Sequence, residues 1–323
     1  MQRAVKAGIL VAALTMAAGP VRATGPEPVP VLATVGMIGD LAATVGGTCA
    51  AVEVLIGPGN DPHLYQPRAS DISRLQQAQV VLHQGFNLEG RLGAVLARLE
   101  RDRVVMAVGE RAVPVDLLLE ADGAIDPHLW MDVTLWARLV PVIAEVLAVE
   151  RPDCAADIAA RTEVFARELV ALDGWVRQTI ASIPEAQRVL VTAHDAFGYF
   201  ARAYGVREVA IQGFSTESEA SVADIRDVAS EVVSSGVPAV FVESTINPRT
   251  MQAMLEAVAA QGAQVGLGGA LFSDAMGEAG TPEGSYIGMI RSNALTIAGA
   301  LGGTPAPWPE DLAAWAERYG VAP

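Results

Sequence analysis

The sequence predicts an α/β protein with two lobes, each a four-stranded parallel sheet with flanking helices, joined by one long backbone helix. Two observations lead to this prediction. Short β-branched runs alternate with amphipathic stretches in both halves of the chain, which is the pattern of βαβ units. Between the halves, apolar residues recur at helical spacing over some thirty residues, or about 45 Å, which is too long for one small domain.

The periodicity places four strands and several helices in each half. In the first half we predict strands at 31–36, 52–56, 80–83 and 104–108, and helices at 38–45, 70–77 and 88–99. An apolar stripe then predicts a helix ending before Pro152, and the long helix follows, ending at Pro184. In the second half we predict strands at 189–192, 209–211, 239–242 and 263–267, and helices at 196–203, 222–235, 248–260 and 285–301.

The N-terminus reads as a secretory signal rather than as part of the fold. Arg3 and Lys6 precede an apolar run over 7–18, and a Val-Arg-Ala end at residue 23 fits signal-peptidase cleavage. The alternative, a membrane anchor, would need about 20 apolar residues. We therefore expect a signal peptide at 1–23, a first lobe at 24–152, a linking helix at 153–184 and a second lobe at 185–323, in a periplasmic protein.

Charge and lysine content exclude several functional classes. The formal net charge is −15, and removal of residues 1–23, which carry three positive charges and no acid, makes it −18. Nucleic acids and anionic membranes are poor partners for such a chain. The single lysine, Lys6, lies in the expected signal, which excludes lysine Schiff-base enzymes and P-loop nucleotide hydrolases. Cys49 and Cys154 could form one disulfide in an oxidising compartment or remain two buried thiols, and the sequence leaves both open.

The tripeptide Asp-Pro-His occurs twice, ending at His63 and at His128, in a chain with four histidines. Asp is a good N-cap and Pro fits a first helical position, so each tripeptide could set a His at a helix start. One copy would be an incidental helix start. Two copies suggest a common role.

Two further residues complete a candidate metal site. In open α/β sheets ligands bind at the carboxyl ends of strands, where His194 and Asp274 follow predicted strands of the second lobe. Taken alone, His194 would be a helix-start residue and Asp274 a turn or cap residue. With both tripeptides they form a set of three imidazoles and one carboxylate, suited to Zn²⁺ and leaving no open position for catalysis. The predicted ligands are His63, His128, His194 and Asp274.

Two other polar residues, His83 and Glu243, end predicted strands. His83 ends the third predicted strand and is assigned a structural role, because no carboxylate or Cys accompanies it at metal-ligand spacing. Glu243 ends a strand of the second lobe and could either orient a ligand imidazole or form a cap or lobe contact.

Several longer motifs carry a family resemblance that runs from about residue 31 to residue 301. They are Gly-Asn-Asp-Pro-His at 59–63, Asn-Leu-Glu at 87–89, Asp-Pro-His-Leu-Trp-Met-Asp at 126–132, His-Asp-Ala-Phe-Gly-Tyr-Phe at 194–200, Ser-Thr-Glu-Ser-Glu at 215–219, Phe-Val-Glu-Ser at 241–244 and Leu-Phe-Ser-Asp-Ala-Met-Gly at 271–277. In this order they resemble the TroA/ZnuA-type zinc and manganese solute-binding proteins of ABC importers.

The resemblance implies two Rossmann-like lobes, limited closure on binding, metal ligands at the four positions above, and delivery of the ion to a membrane permease. Within the family, His at the third ligand position is typical of zinc-directed members and Glu of manganese-directed ones, so His194 favours Zn²⁺, with Mn²⁺ second. The sequence departs from zinc-directed members in one respect: no His lies between His83 and His128, where a His-rich loop is common.

We expect a monomeric receptor, not an enzyme. A zinc-dependent hydrolase would need an open coordination position and a nearby base, and the sequence lacks His-Glu-x-x-His and Gly-x-Ser-x-Gly. A surface adhesin would need an anchor, and neither a lipidation Cys near the cleavage site nor a wall-sorting tail is visible.

Overall fold

The computed structural model describes residues 27–121 and 123–322, so the expected signal peptide lies outside the described part of the chain. The first lobe contains one parallel sheet in the order β2-β1-β3-β4. β1, one of its two inner strands, is buried at every position but one, as expected for a parallel strand covered on both faces. The elements are β1 (Val29–Val35), α1 (Gly36–Gly46), β2 (Ala50–Ile56), α2 (Ala69–Gln77), β3 (Val80–His83), α3 (Gly93–Leu99), β4 (Val104–Ala107) and α4 (Val108–Ala112).

The helix predicted over 88–99 is wrong at its start. Phe86 and Asn87, just before the predicted start, have left-handed φ angles of 52° and 61°, and the turn that they begin runs on to residue 89 and is followed by a 3₁₀ helix over Gly90–Leu92. This turn brings the buried carboxylate of Glu89 back to accept hydrogen bonds from the Gln84 amide at 2.9 Å and the Thr34 hydroxyl at 2.5 Å. The chain is therefore diverted to satisfy a buried acid, and the α-helix begins only at residue 93.

The middle of the chain leads into one long helix. A short antiparallel hairpin, which periodicity did not predict, precedes two helices, the second of which packs on α1 and α4 of the first lobe. The long helix has 27 residues, and its buried residues follow the predicted apolar stripe from Ile158 to Ile180. It packs against α1 of the first lobe and against helices of the second. The elements are β5 (Glu120–Ala121), β6 (Ala124–Ile125), α5 (Val133–Trp136), α6 (Leu139–Glu150) and α7 (Ala155–Ala181).

The second lobe has the four predicted strands, joined by hydrogen bonds as two parallel pairs, β7 with β8 and β9 with β10. β7 runs beside β9. The strand predicted at 263–267 lies further on, with a register shift at Gly269, whose φ of +133° favours glycine. The elements are β7 (Val189–His194), α8 (Gly198–Tyr204), β8 (Arg207–Gln212), α9 (Val222–Ser235), β9 (Ala239–Glu243), α10 (Arg249–Ala260), β10 (Gly266–Leu271), α11 (Tyr286–Ala300) and α12 (Ala313–Tyr319).

Two features fix the ends of α7. Cys49 and Cys154 form a disulfide, which ties the end of α1 to the start of α7. Near the other end, residues 302–322 fold back over the helix, and the ring of Trp308 packs on that of Trp175 with centroids 4.9 Å apart. The Trp175 indole also donates a hydrogen bond to the Ala306 carbonyl at 2.9 Å. Among the described residues, no helix combines the length and apolar character needed to span a bilayer.

Candidate metal centre

All four predicted ligands meet in the cleft between the lobes. One ligand atom from each lies within 4.8 Å of the other three, and each side chain is at most 3% exposed. The first two come from loops of the first lobe, the third ends β7 and the fourth follows β10. The residues are His63, His128, His194 and Asp274.

The spacing of the ligand atoms fits tetrahedral coordination. The Nε2 atoms of His63 and His128 are 3.4 Å apart, and the Asp274 oxygens lie 3.1 Å from Nε2 of His128 and 3.3 Å from Nε2 of His194. Four ligands about 2.0 to 2.1 Å from a zinc ion in a tetrahedron lie about 3.3 Å from one another. Three of the distances between ligand atoms match this value, and all four atoms lie within 4.8 Å of one another. Four protein ligands fill a tetrahedral coordination shell, so the residue set suits binding rather than activation of a water.

The atoms that face one another lack ordinary hydrogen bonds. Within the described residues, Nε2 of His194 and both oxygens of Asp274 are buried without a partner in hydrogen-bond geometry. Buried polar atoms are nearly always paired, and an orphaned group in a native structure calls for an explanation such as a missing ion. The chemistry of the donor set therefore fits a cation at the centre of the cluster.

A carboxylate orients the ring of His128. Asp126, two residues earlier, accepts a hydrogen bond from the His128 amide at 2.9 Å and contacts Nδ1 of the ring at 2.7 Å. A carboxylate on the far ring nitrogen fixes the tautomer and directs Nε2 at the ion. Two hydrogen bonds hold the backbone of this turn. The Tyr199 hydroxyl donates to the Asp126 carbonyl at 2.9 Å, and the side-chain amide of Gln84 donates to the Pro127 carbonyl at 2.8 Å.

A second carboxylate orients the ring of His194. One oxygen of Glu243, the last residue of β9, accepts hydrogen bonds from the backbone amides of Ala193 at 2.9 Å and His194 at 3.0 Å. The other oxygen contacts Nδ1 of the His194 ring. Of the two roles left open by the sequence, the geometry matches that of orienting a ligand imidazole, and the same contacts join the tips of β7 and β9.

The fourth predicted ligand, Asp274, is positioned by hydrogen bonds to the backbone of the two residues before it. The buried Asn293 side chain of α11 pairs with the amide and carbonyl of Phe272 at 2.9 and 2.7 Å, as a neighbouring strand would. The Trp130 indole, from the first lobe, donates to the Ser273 carbonyl at 2.8 Å. These bonds set the position of Asp274 relative to both lobes.

Electrostatics show a site arranged for positive charge. Burial disfavours protonation of His128, but the Asp126 and Asp274 carboxylates outweigh it and raise its pKa to about 9. The pKa of His194 is likewise raised well above its ordinary value, against burial, by Glu243 and Asp274. Burial alone would raise the pKa of Asp274, yet the facing imidazoles hold it well below its ordinary value. In the metal-free protein, protons on the His128 and His194 rings balance the negative charge of the carboxylates, and a bound divalent ion would balance it instead.

His63 differs from the other two imidazoles. Burial is the largest influence on its ring and lowers its pKa. It does not start a helix, contrary to the expectation from Asp-Pro-His: it lies in a turn, and α2 begins only at residue 69. The backbone amide of His63 instead bonds to the Asp61 carboxylate at 2.8 Å, a local turn that Asp forms readily.

His83, to which the sequence assigned a structural role, is not among the clustered ligands. Its Nδ1 lies 3.9 Å from the Glu89 carboxylate, and the only group of metal-spaced ligands found in the described part of the chain is the one above. Three contributors to the site were missed. The ring contact of Asp126 was hidden behind its expected capping role. Thr216 belongs to the motif at 215–219, but nothing in that motif indicates its contact with Asp61, and the sequence carries no local signal for Asn293.

Comparison with known proteins gives matches over most of the chain. Residues 31–300 match the family described as zinc-uptake complex component A, periplasmic (ZnuA). Three relatives illustrate it. The zinc-binding protein TroA of Treponema pallidum is 43% identical over 272 residues, which are 84% of this chain and 88% of that protein.

The manganese-binding lipoprotein MntA of Bacillus subtilis is 40% identical over 273 residues, covering 84% of this chain and 89% of the relative. The metal ABC transporter substrate-binding lipoprotein SsaB of Streptococcus sanguinis is 26% identical over 278 residues, with 84% and 88% covered. The solved structure of the periplasmic zinc-binding protein TroA superposes with a TM-score of 0.83 at 42% identity, covering 84% of this chain and 99% of that chain.

Proposed function

The chain belongs to the family of periplasmic zinc-uptake component A proteins, and from this premise we propose that it captures one divalent transition-metal ion and delivers it to the permease of an ABC importer. The proposed ligands are His63, His128, His194 and Asp274. The observation that carries the proposal is the convergence of one ligand atom from each residue, all within 4.8 Å of one another, in a buried cleft.

Zn²⁺ is the proposed first choice and Mn²⁺ the second. Three imidazoles and one carboxylate suit borderline zinc, and the Irving–Williams order places Mn²⁺ well below Zn²⁺ for a site of this kind. The relatives include both a zinc-binding and a manganese-binding protein, so the preference for Zn²⁺ rests on the chemistry of the ligands. The buried carboxylates of Asp126 and Glu243 contact the far ring nitrogens of His128 and His194, which makes these two imidazoles stronger metal ligands.

The proposed location is the periplasm, reached through cleavage of a signal peptide after Ala23, and the proposed form is a monomer of two lobes, 24–152 and 185–323, joined by 153–184. The disulfide between Cys49 and Cys154 supports export, because disulfides persist in oxidising compartments. Membership of a family of transporter binding components makes the protein a receptor and not an enzyme.

The test is metal competition on the mature protein. The protein is stripped with chelator, reloaded with equimolar Zn²⁺ and Mn²⁺, desalted and analysed for both elements. We expect one equivalent of zinc and little manganese, and a higher melting temperature with metal, because binding to the folded state alone stabilises it. Retention of manganese would overturn the metal order, and absence of any bound metal would overturn the receptor function.

Two variants and one control identify the ligands. His63→Ala and Asp274→Ala should each weaken zinc affinity by at least about 100-fold, a loss beyond what the orienting residues behind the ligands produce. His83→Ala is the matched control, since it removes the one histidine outside the cluster and should bind as the wild type does. Wild-type affinity in both ligand variants would refute the site.

A further inference from the structure

One loop of the second lobe reaches the turn that carries His63. This crossing loop, residues 213–221, connects β8 to α9. Thr216 is 7% exposed, whereas Glu217, Ser218 and Glu219 beside it are exposed. Threonine is mostly found at the surface, so a single buried threonine in an exposed loop marks a point of attachment.

The attachment is a hydrogen bond between the lobes. The Thr216 hydroxyl donates to Oδ2 of Asp61 at 2.6 Å, while Oδ1 of the same carboxylate accepts from the His63 amide at 2.8 Å. One carboxylate therefore links the second lobe directly to the backbone of a ligand from the first. A hydroxyl bound to a charged carboxylate is a strong hydrogen bond.

The rest of the turn over 61–65 is weakly held. Its other hydrogen bonds within the described residues run to the first lobe, and Leu64, next to His63, is 42% exposed. Asp61, Leu64 and Tyr65 of this turn line a surface depression that is open to solvent. The neighbouring contact across the lobes, Arg91 to Glu217 at 3.9 Å, joins two exposed side chains and adds little.

We propose that Thr216 is a positioning residue that holds His63 over the ion and so sets the rate at which the ion leaves the cleft. The inference rests on the proposed metal-binding function and adds a residue that acts through Asp61 rather than on the metal. The His63 turn can move away from the second lobe only after the bond from Thr216 to Asp61 breaks. Thr216 thereby ties the movement of one ligand to the separation of the lobes.

The experiment measures zinc release into excess chelator by stopped flow. Thr216→Val removes the hydroxyl and keeps the branched shape, so it should still bind one equivalent but release zinc about tenfold faster, the change expected from one hydrogen bond to a charged group. Thr216→Ser keeps the hydroxyl and should return the rate to within about twofold of the wild type. Ser218→Ala, in the same loop, is the control for general disturbance and should leave the rate unchanged.

The outcomes separate this inference from the function on which it rests. Wild-type protein that binds no metal would overturn the receptor function itself. Wild-type protein that binds zinc, with Thr216→Val releasing it at the wild-type rate, would overturn the role of Thr216 alone. A serine variant as fast as the valine variant would do the same, as would a lower melting temperature of the metal-free valine variant with an unchanged release rate, since that pattern indicates only a structural contribution.

Discussion

The two Asp-Pro-His turns share a sequence and a backbone hydrogen bond but differ in what surrounds them. In both, the aspartate accepts the amide of the histidine two residues later, at 2.8 Å in the first and 2.9 Å in the second. Asp126 also contacts its own histidine ring, whereas Asp61 turns its second oxygen to the opposite lobe. Both turns are therefore bonded to the second lobe, that of His128 through the Tyr199 hydroxyl and that of His63 through the Thr216 hydroxyl, but only His128 has a carboxylate on its own ring.

Burial follows the same division. His128 is fully buried among buried neighbours, and its turn is tied to the hydroxyl of Tyr199 and the amide of Gln84. The turn of His63 is flanked by Asn60, which is exposed, and by Leu64. A sequence repeat can therefore specify the local geometry of a ligand without specifying its mobility, which depends on contacts from distant parts of the chain.

The largest expected difference concerns pH. The raised pKa of His128, from 6.5 unfolded to about 9 folded, contributes stability that is fully present below pH 6.5 and is lost as pH rises through 9; the sign for His63 is opposite, because its pKa is lowered. The His128 ring alone should account for a loss of about 3 kcal/mol of unfolding free energy in metal-free protein over this window. Urea unfolding at several pH values measures it.

Two variants assign that loss. His128→Gln should flatten the pH dependence of metal-free protein, leaving a residual slope from His194, whose pKa is also raised. His63→Gln should leave the loss between pH 6.5 and 9 in place. Equal effects of the two variants would show that the turns do not differ electrostatically.

The next expected difference concerns the aspartates. Asp126→Asn replaces the carboxylate behind a ligand ring and should lower zinc affinity about 10- to 100-fold. Asp61→Asn keeps an oxygen for the His63 amide and touches no ring, so its loss should stay below about tenfold. Competition with a chromophoric chelator measures both affinities. A greater loss of zinc affinity in the Asp61 variant would contradict the expected difference between the two turns.

The smallest expected difference concerns two tyrosines that support the turns. Tyr199→Phe removes a buried hydroxyl that bonds the Leu119 amide and the Asp126 carbonyl, and should cost about 1 to 2 kcal/mol of unfolding free energy. Tyr65→Phe, the matched change at the first turn, removes a half-buried bond to Asp71 and should cost less than about 1 kcal/mol. Denaturant unfolding of metal-free protein gives both values, and a larger cost for Tyr65 would contradict the comparison.

Local signals in the sequence located most of the strands and the four residues whose side chains the structure brings together. Apolar runs predict parallel strands, and polar residues just after them gather at one edge of the sheet. Contacts between distant segments carry no such signal. Thr216 is 155 residues from Asp61, and Asn293 is 21 residues from the backbone it pairs with.

Errors in the predicted elements have physical causes of the same kind. Glu89 accepts hydrogen bonds from Gln84 and Thr34, and this buried network holds a turn over residues 86–89 where the periodicity indicated a helix from residue 88. β10 contains three glycines and an irregular register, so its sequence lacks the β-branched pattern of a strand. The predicted boundary at its start was displaced accordingly.

The uninterrupted helix α7 has a consequence for how this protein can change in evolution. Its 27 residues contact both lobes, and an α-helix turns by about 100° and rises 1.5 Å per residue. Inserting or deleting one residue within α7 would rotate the second lobe relative to the first. His194 and Asp274 would then move away from the two histidine ligands of the first lobe. Substitutions on the exposed face of α7 leave this phase unchanged, so the length of the helix is constrained as tightly as the identity of the ligands.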